Sequence, residues 1–212
     1  MNLGDALSYL YDPISSKNRV ELEDFDILLF SGQNYWISRA IEWMTGSEFS
    51  HVGIVLKSPT YLHPNLTGIY LLESGQELKP DAEDGIPKLG VQITELNGLL
   101  SQYKGLVYRR RLDCNKEGMR EQMKKIHQEI HGKPYDLNII DVMETLTGCY
   151  LNNCKIEKRF FCSALATFVY MRLGLLPEDI AWTIVEPKQF GDGEYIEKRL
   201  IHAKLDKIVR IK

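Results

Sequence analysis

The sequence has no long apolar run and no excess of positive charge. No stretch approaches the roughly 20 apolar residues that a helix needs to cross a bilayer. Lys and Arg number 26 against 29 Asp and Glu, whereas a protein whose main partner is nucleic acid is usually more basic. Residues 1–16 lack the basic and apolar regions of a signal peptide. We therefore expect a cytoplasmic protein without a leader, a membrane span or a nucleic-acid partner.

Cysteine is also scarce, with 4 in 212 residues. In a chain of this length without a leader, so few thiols predict free cysteines rather than a disulfide framework. The hydrophobic share of 44% and the charged share of 26% are typical of a globular protein and exclude a disordered or collagen-like chain. The length favours one main domain, residues 23–212, preceded by a helical arm, residues 1–22.

The order of predicted elements indicates an α+β fold, with a small antiparallel sheet packed against helices. Short apolar or β-branched runs predict strands over residues 24–30, 51–56, 69–74, 91–93 and 106–112, and one or two more between 195 and 211. Helical spacing or capping residues predict helices over 34–45, 94–103, 115–132, 138–146 and 161–173. Thr94 is the predicted cap of the second of these helices.

Cys162 is the candidate nucleophile. It stands in RFFCSALATFVYMRLG, at the predicted start of an apolar helix. Unpaired backbone N–H groups and the positive end of the helix dipole favour a thiolate at such a position. The alternative is a small buried cysteine on a core helix, which is the commoner role of a free cysteine.

His51 and Glu73 are the candidate base and orienting group. His51 opens the predicted strand HVGIVL, and Glu73 ends the otherwise apolar strand IYLLES, where a carboxylate needs a partner or water. A register that places the two residues directly opposite each other would bring their Cβ atoms to about 5 Å. Glu73 could then fix the imidazole tautomer and leave the other nitrogen for a nucleophile. The loop of residues 57–68 does not by itself fix this register.

The motifs SHVGIV, LLES, GKPYD and FFCSALATFVY occur in an order that resembles a known family. They resemble the circularly permuted NlpC-type papain-like cysteine hydrolases, the group named for the bacterial proteins YaeF and YiiX, with poxvirus relatives. In that group the histidine strand precedes the cysteine helix. The resemblance covers residues 24–175. It implies a single permuted papain-like catalytic domain with Cys162 as nucleophile, His51 as base and Glu73 as the third polar residue.

The resemblance further implies that Tyr135, in GKPYD, lies near the nucleophile and helps to form the oxyanion hole or to hold substrate. The alternative is a turn residue that follows Pro134. We assign Ser163, next to the nucleophile, to the same substrate or oxyanion region. The first strand of this family commonly starts with Gly-Asp, whereas here Phe25 precedes Asp26. We therefore interpret Asp26 as structural.

The predicted function is hydrolysis of an amide bond in a small peptide, of the cell-wall type or an amidated amino acid, through an acyl-cysteine intermediate. No cofactor or metal is expected. One alternative is a lipid acyl hydrolase or acyltransferase that uses the same Cys/His pair at a membrane surface. An alternative of another class is a non-catalytic binding module in which Cys162 is buried and inert.

Two further patterns are given structural interpretations. His127 and His131 have the i, i+4 spacing of metal ligands, and with Cys149 and Cys154 they could in principle bind zinc. Each follows an apolar helix position by one residue, so we expect both histidines to flank the core in solvent. The basic run of residues 109–111 is expected to form a solvated strand edge that blocks strand pairing.

Overall fold

The computed structural model describes residues 20–32, 48–131 and 161–212. Most of the predicted arm, the helices predicted at 34–45 and 138–146, and the residues Tyr135, Cys149 and Cys154 lie outside the described residues. The division into an arm and one main domain stays a prediction.

A six-stranded antiparallel sheet organises the described part of the chain. Its strands are β1 Ile27–Ser31, β2 His51–Lys57, β3 Ile69–Pro80, β4 Pro87–Glu95, β5 Leu106–Arg110 and β8 Val209–Arg210. Their order across the sheet is β4-β3-β2-β1-β5-β8. Strands β6 Leu112–Cys114 and β7 Ala203–Leu205 form a separate pair. The helices are α1 Leu96–Gln102, α2 Met119–Ile130 and α3 Phe161–Arg172, with 3-10 turns at Trp182–Ile184, Pro187–Phe190 and Glu197–Arg199. The predicted α+β class is confirmed. In the described ranges, no helix is both long enough and apolar enough to cross a bilayer.

The sheet is buried on both faces, which explains the unbroken apolar sequence of β1. Ile27 and Leu29 point into one core, which also contains residues of α2 and α3. Leu28 and Phe30 point into a second core with residues of α1. Because successive side chains of a strand face opposite sides, a strand between two cores needs apolar residues at every position. Helix α3 packs against β2 and β3, the strands that contain His51 and Glu73.

Helix α1 is capped by Glu95, so the prediction that Thr94 caps it is wrong. The Glu95 carboxylate accepts hydrogen bonds from the backbone N–H groups of Asn97 and Gly98. Thr94 instead belongs to β4, and its hydroxyl donates to Glu73 across the neighbouring strand. The carboxylate of Glu95, one residue further along, accepts the hydrogen bonds of the first helical turn. The Thr94 hydroxyl can therefore contact another strand.

The basic run does not form a solvated edge. Strand β5 lies inside the sheet, between β1 and β8, and Arg110 is only 1% exposed. Arg109 pairs with buried Asp26 at 2.7 Å, and only Arg111 is largely exposed. The prediction is wrong because the closing segment of the chain supplies acceptors for a buried guanidinium. These acceptors are the carbonyl groups of Phe190, Gly191, Leu205 and Asp206 and the carboxylate of Glu197.

Asp26 joins three strands, as expected of a structural residue. Its carboxylate accepts hydrogen bonds from the backbone N–H groups of Glu23 and Leu112 and from the Arg109 guanidinium. Burial raises the pKa of Asp26, although these donors oppose the change. The carboxylate therefore links the start of β1 to β5 and β6, and it lies outside the group of residues described next.

Candidate active site

The register of β2 and β3 differs from the predicted one by two residues. Ile54 lies opposite Leu72 and Val55 opposite Leu71, so His51 and Glu73 are not directly opposed. The prediction of direct opposition is wrong. However, a shift of two residues leaves every side chain on its original face of the sheet. His51 and Glu73 are consequently diagonal neighbours on one face, which is within reach of two long side chains.

The His51 imidazole and the Glu73 carboxylate are directly hydrogen-bonded. Nε2 of His51 lies 2.7 Å from Oε2 of Glu73. The other carboxylate oxygen, Oε1, accepts hydrogen bonds from the Thr94 hydroxyl at 2.7 Å and from the Gln92 amide at 3.4 Å. The Glu73 side chain is only 6% exposed, so these donors replace water around a buried carboxylate. Its orientation toward His51 is thereby fixed.

Gln92 and Thr94 are positioning residues that the sequence analysis missed. Gln92 lies opposite Glu73 in the β3–β4 ladder, and Thr94 follows two positions later on the same face. The alternation of Gln92, Ile93 and Thr94 was the available signal, because it places two polar side chains on one side of a strand. Without the pairing of β3 with β4, nothing in the sequence connects them to Glu73.

Helix α3 brings the sulfur of Cys162 to this histidine. Cys162 lies in the first turn of α3, is buried, and shares a side-chain hydrogen bond with His51. Because Glu73 engages Nε2, Nδ1 is the ring nitrogen left for the sulfur. The backbone N–H groups of Val52 and Ser163 also donate to the sulfur. Residues from β2, β3 and α3 thus form one chain of contacts, Cys162–His51–Glu73.

The electrostatics of this chain favour charged forms of both Cys162 and His51. Burial alone would raise the pKa of the Cys162 thiol, but the charge of His51 and the hydrogen bonds to the sulfur outweigh burial and lower it. Burial alone would lower the pKa of His51, but Cys162 and Glu73 outweigh it and raise the pKa to about 10. Both shifts favour a thiolate and an imidazolium over the neutral pair. About a quarter of the His51 side chain is exposed, so solvent reaches the pair from one side.

Ser163 contributes its backbone rather than its side chain. The Ser163 hydroxyl is buried and donates to the carbonyl of Val185 at 2.5 Å, which ties α3 to the segment that follows it. Its backbone N–H faces the Cys162 sulfur. Successive helix residues point about 100° apart, so the side chain next to the nucleophile turns into the protein. A role of Ser163 in substrate or oxyanion binding therefore falls to its backbone.

The histidine pair of α2 is not solvent-exposed as expected. His127 is buried, and its Nε2 lies 2.7 Å from Oε2 of Glu83 in the β3–β4 connection. His131 is partly buried, and its Nδ1 lies 3.2 Å from the same oxygen. The expectation is wrong because this connection, which follows a strand longer than predicted, covers the side of the helix next to its apolar stripe.

Comparison with known proteins gives a distant structural likeness. No protein-family profile and no curated protein matches the chain. One similar solved structure is that of the metalloprotein YiiX from Escherichia coli O157:H7, which is 18% identical. The match covers 90% of this chain and 96% of YiiX, with a TM-score of 0.43. A likeness this distant says nothing about the chemistry of the site.

We expect Cys162 to react with iodoacetamide faster than Cys114 below neutral pH. Cys114 is the matched control, because it is also a free thiol and burial raises its pKa. Since a difference of one in pKa changes the thiolate fraction about tenfold, the rates should differ by at least about tenfold. Peptide mapping by mass spectrometry of quenched time points measures both rates in one sample.

The same measurement on His51→Ala tests the origin of the thiolate. Removing the imidazolium takes away the largest contribution that opposes burial, so the Cys162 rate at neutral pH should fall by about tenfold or more while the Cys114 rate is unchanged. An unchanged Cys162 rate in this variant would show that His51 does not hold the thiolate.

Proposed function

We propose that the protein is a cysteine hydrolase that cleaves an amide bond in a small peptide through an acyl-cysteine intermediate. One observation carries the proposal. Cys162, in the first turn of α3, is hydrogen-bonded to His51, and Glu73 holds the far side of the same ring at 2.7 Å. Nucleophilic acyl transfer needs a nucleophile, a base that contacts it and a group that orients the base. Cys162, His51 and Glu73 contact one another in this order.

Acylation begins with the thiolate already formed. The Cys162 sulfur attacks the substrate carbonyl carbon, and the carbonyl π electrons move to oxygen to give a tetrahedral oxyanion. The first backbone N–H groups of a helix have no intrahelical acceptor, so that of Cys162 is available to this oxyanion. The intermediate then collapses: the C–N bond breaks, and the His51 imidazolium gives its proton to the leaving nitrogen. A thioester on Cys162 and a free amine result.

In deacylation, His51 acts as a base instead of an acid. The imidazole, now neutral, removes a proton from water as the water oxygen attacks the thioester carbonyl. Collapse of the second intermediate breaks the C–S bond and releases the carboxylic acid. The imidazolium–thiolate pair is restored without a net change in charge. Glu73 stabilises the imidazolium in both halves and keeps Nε2 away from the reacting atoms.

The arrangement of elements supports a permuted papain-like fold as the framework for this chemistry. The histidine lies on β2, early in the chain, and the cysteine lies at the start of α3, late in it, which is the order of the permuted group. The helix carrying the nucleophile packs on the sheet that carries the base. This assignment is part of the proposal.

One feature favours an amide over a lipid ester. An amine leaving group must be protonated as it departs, and the raised pKa of His51 keeps a proton available for that step.

A substrate panel tests the proposed reaction. Wild type and Cys162→Ala should be incubated with cell-wall-type peptides, amidated amino acids and acyl lipids, and the products followed by mass spectrometry. We expect wild type alone to release amine from the peptide or amide class, and a trapped acyl-protein to map to Cys162. If only lipids are cleaved, the substrates are lipid esters and the proposed amide class is wrong. No cleavage of any class, together with an unreactive Cys162, would favour a binding module.

Glu73→Gln should slow turnover without unfolding the protein. Glutamine keeps the shape of the side chain but loses the charge that stabilises the imidazolium, so kcat should fall roughly 10- to 100-fold, a part of what acid–base catalysis supplies. Glu117→Gln is the matched control, because Glu117 is an exposed glutamate in a turn away from the site. Steady-state kinetics on the substrate found above measure the change.

Circular dichroism of both glutamine variants checks that the fold is intact. A folded Glu73→Gln protein with the kcat of wild type would show that Glu73 has only a structural role.

A further inference from the structure

A second cluster of chemically active side chains lies apart from the candidate active site. It consists of Glu83, in the β3–β4 connection, His127 in α2, and His131, the residue that caps the C-terminal end of α2. One ligand atom of each residue lies within 4.8 Å of the corresponding atoms of the other two. The carboxylate oxygen Oε2 of Glu83 is 2.7 Å from Nε2 of His127 and 3.2 Å from Nδ1 of His131.

We propose that Glu83, His127 and His131 form a binding site for a divalent transition-metal ion of the zinc type. Two imidazole nitrogens and one carboxylate oxygen are a donor set that zinc uses, with a fourth position left for water. Ligand atoms around a tetrahedral ion lie about 3.4 Å apart when the metal–ligand bonds are about 2.1 Å. The two separations from Glu83 fall slightly short of this value. A side-chain movement of the partly exposed Glu83 would open the cluster to the required size.

The ring of His127 is held with one nitrogen facing the cluster. The His127 side chain is only 6% exposed, and its Nε2 is directed at Glu83. Its Nδ1 is buried and has no hydrogen-bond partner among the described residues. Because Nε2 rather than Nδ1 contacts Glu83, Nε2 is the nitrogen that would bind the ion.

His131 has an acceptor suited to the metal-bound state. Oδ2 of Asp84 lies 3.6 Å from Nε2 of His131, on the opposite side of the ring from Glu83. If Nδ1 binds the metal, the ring proton is on Nε2, and this N–H group can donate a hydrogen bond to Asp84. A carboxylate behind a ligating histidine is the usual outer partner in such sites. Lys88, which now lies 3.3 Å from Nε2, also pairs with Asp81 and Asp84 and can keep those contacts.

The surroundings give an ion both access and a favourable charge. The cluster forms one wall of an open cleft of about 280 Å³, whose lining residues are Leu62, Glu83, Lys124, His127, Gln128 and His131. Three carboxylates, those of Asp81, Glu83 and Asp84, outnumber the ammonium groups of Lys88 and Lys124. The balance is negative when both imidazoles are neutral, which is the form that binds metals.

Cobalt titration tests the site, with Co²⁺ as a spectroscopic stand-in for Zn²⁺. The titration should use Cys162→Ala protein, so that the active-site sulfur cannot bind the metal and the result is independent of the proposed hydrolase. We expect one Co²⁺ per chain, visible d–d bands without sulfur charge-transfer absorption, and displacement by Zn²⁺. Adding Glu83→Gln or His131→Gln should weaken binding about 100-fold, the upper end of what supporting residues alone contribute.

His202→Asn is the matched control, because His202 is an exposed histidine outside the cluster. Its φ of 51° is in the left-handed region, which asparagine tolerates. This variant should bind Co²⁺ with unchanged affinity. The imidazole NMR signals of His127 and His131 should also shift on addition of Zn²⁺, and this measurement needs no substitution at the cluster. Absence of saturable binding, equal binding by all variants, or sulfur charge-transfer bands would overturn the proposal.

Discussion

The hydrogen-bonded pair of Cys162 and His51 is the interaction on which the rest of the account depends. Both side chains lose water on folding, and burial alone would keep each of them neutral. Each becomes charged because the other is charged and close. Glu73 adds a second stabilising contact to the imidazolium, so one histidine is held from both sides. Separating the sulfur from the ring would remove the largest contribution that opposes burial in each group.

Residues from three neighbouring strands and one helix form the candidate site. Strand β2 supplies the imidazole, β3 the carboxylate, and β4 the hydroxyl and amide that hold the carboxylate. Helix α3, which lies much later in the chain, contributes the sulfur of Cys162. The double-sided burial of the sheet explains why residues 52–56 of β2 and 69–72 of β3 are apolar. Buried polar residues in such strands are costly unless paired, and Gln92 and Thr94 donate hydrogen bonds to Glu73.

The sequence predicted those features of the structure that depend on periodicity and on local chemistry. Helix α3 and the strands near His51 and Glu73 follow from apolar runs and from the enrichment of β-branched residues. The register did not follow, because the connecting loop permits several pairings, yet a two-residue error left both side chains on one face. Arg110 and His127 were assigned to solvent because their partners come from segments remote in sequence. Thr94 was assigned to a helix cap because its strand partner was unknown.

The most direct test is the protonation state of His51 in the resting protein. Side-chain ¹⁵N NMR at neutral pH distinguishes an imidazolium, with protons on both nitrogens, from a neutral ring with one. The account predicts an imidazolium in wild type and a lowered His51 pKa in Cys162→Ala, where the thiolate is gone. A neutral His51 ring in the wild-type protein at neutral pH would contradict the account.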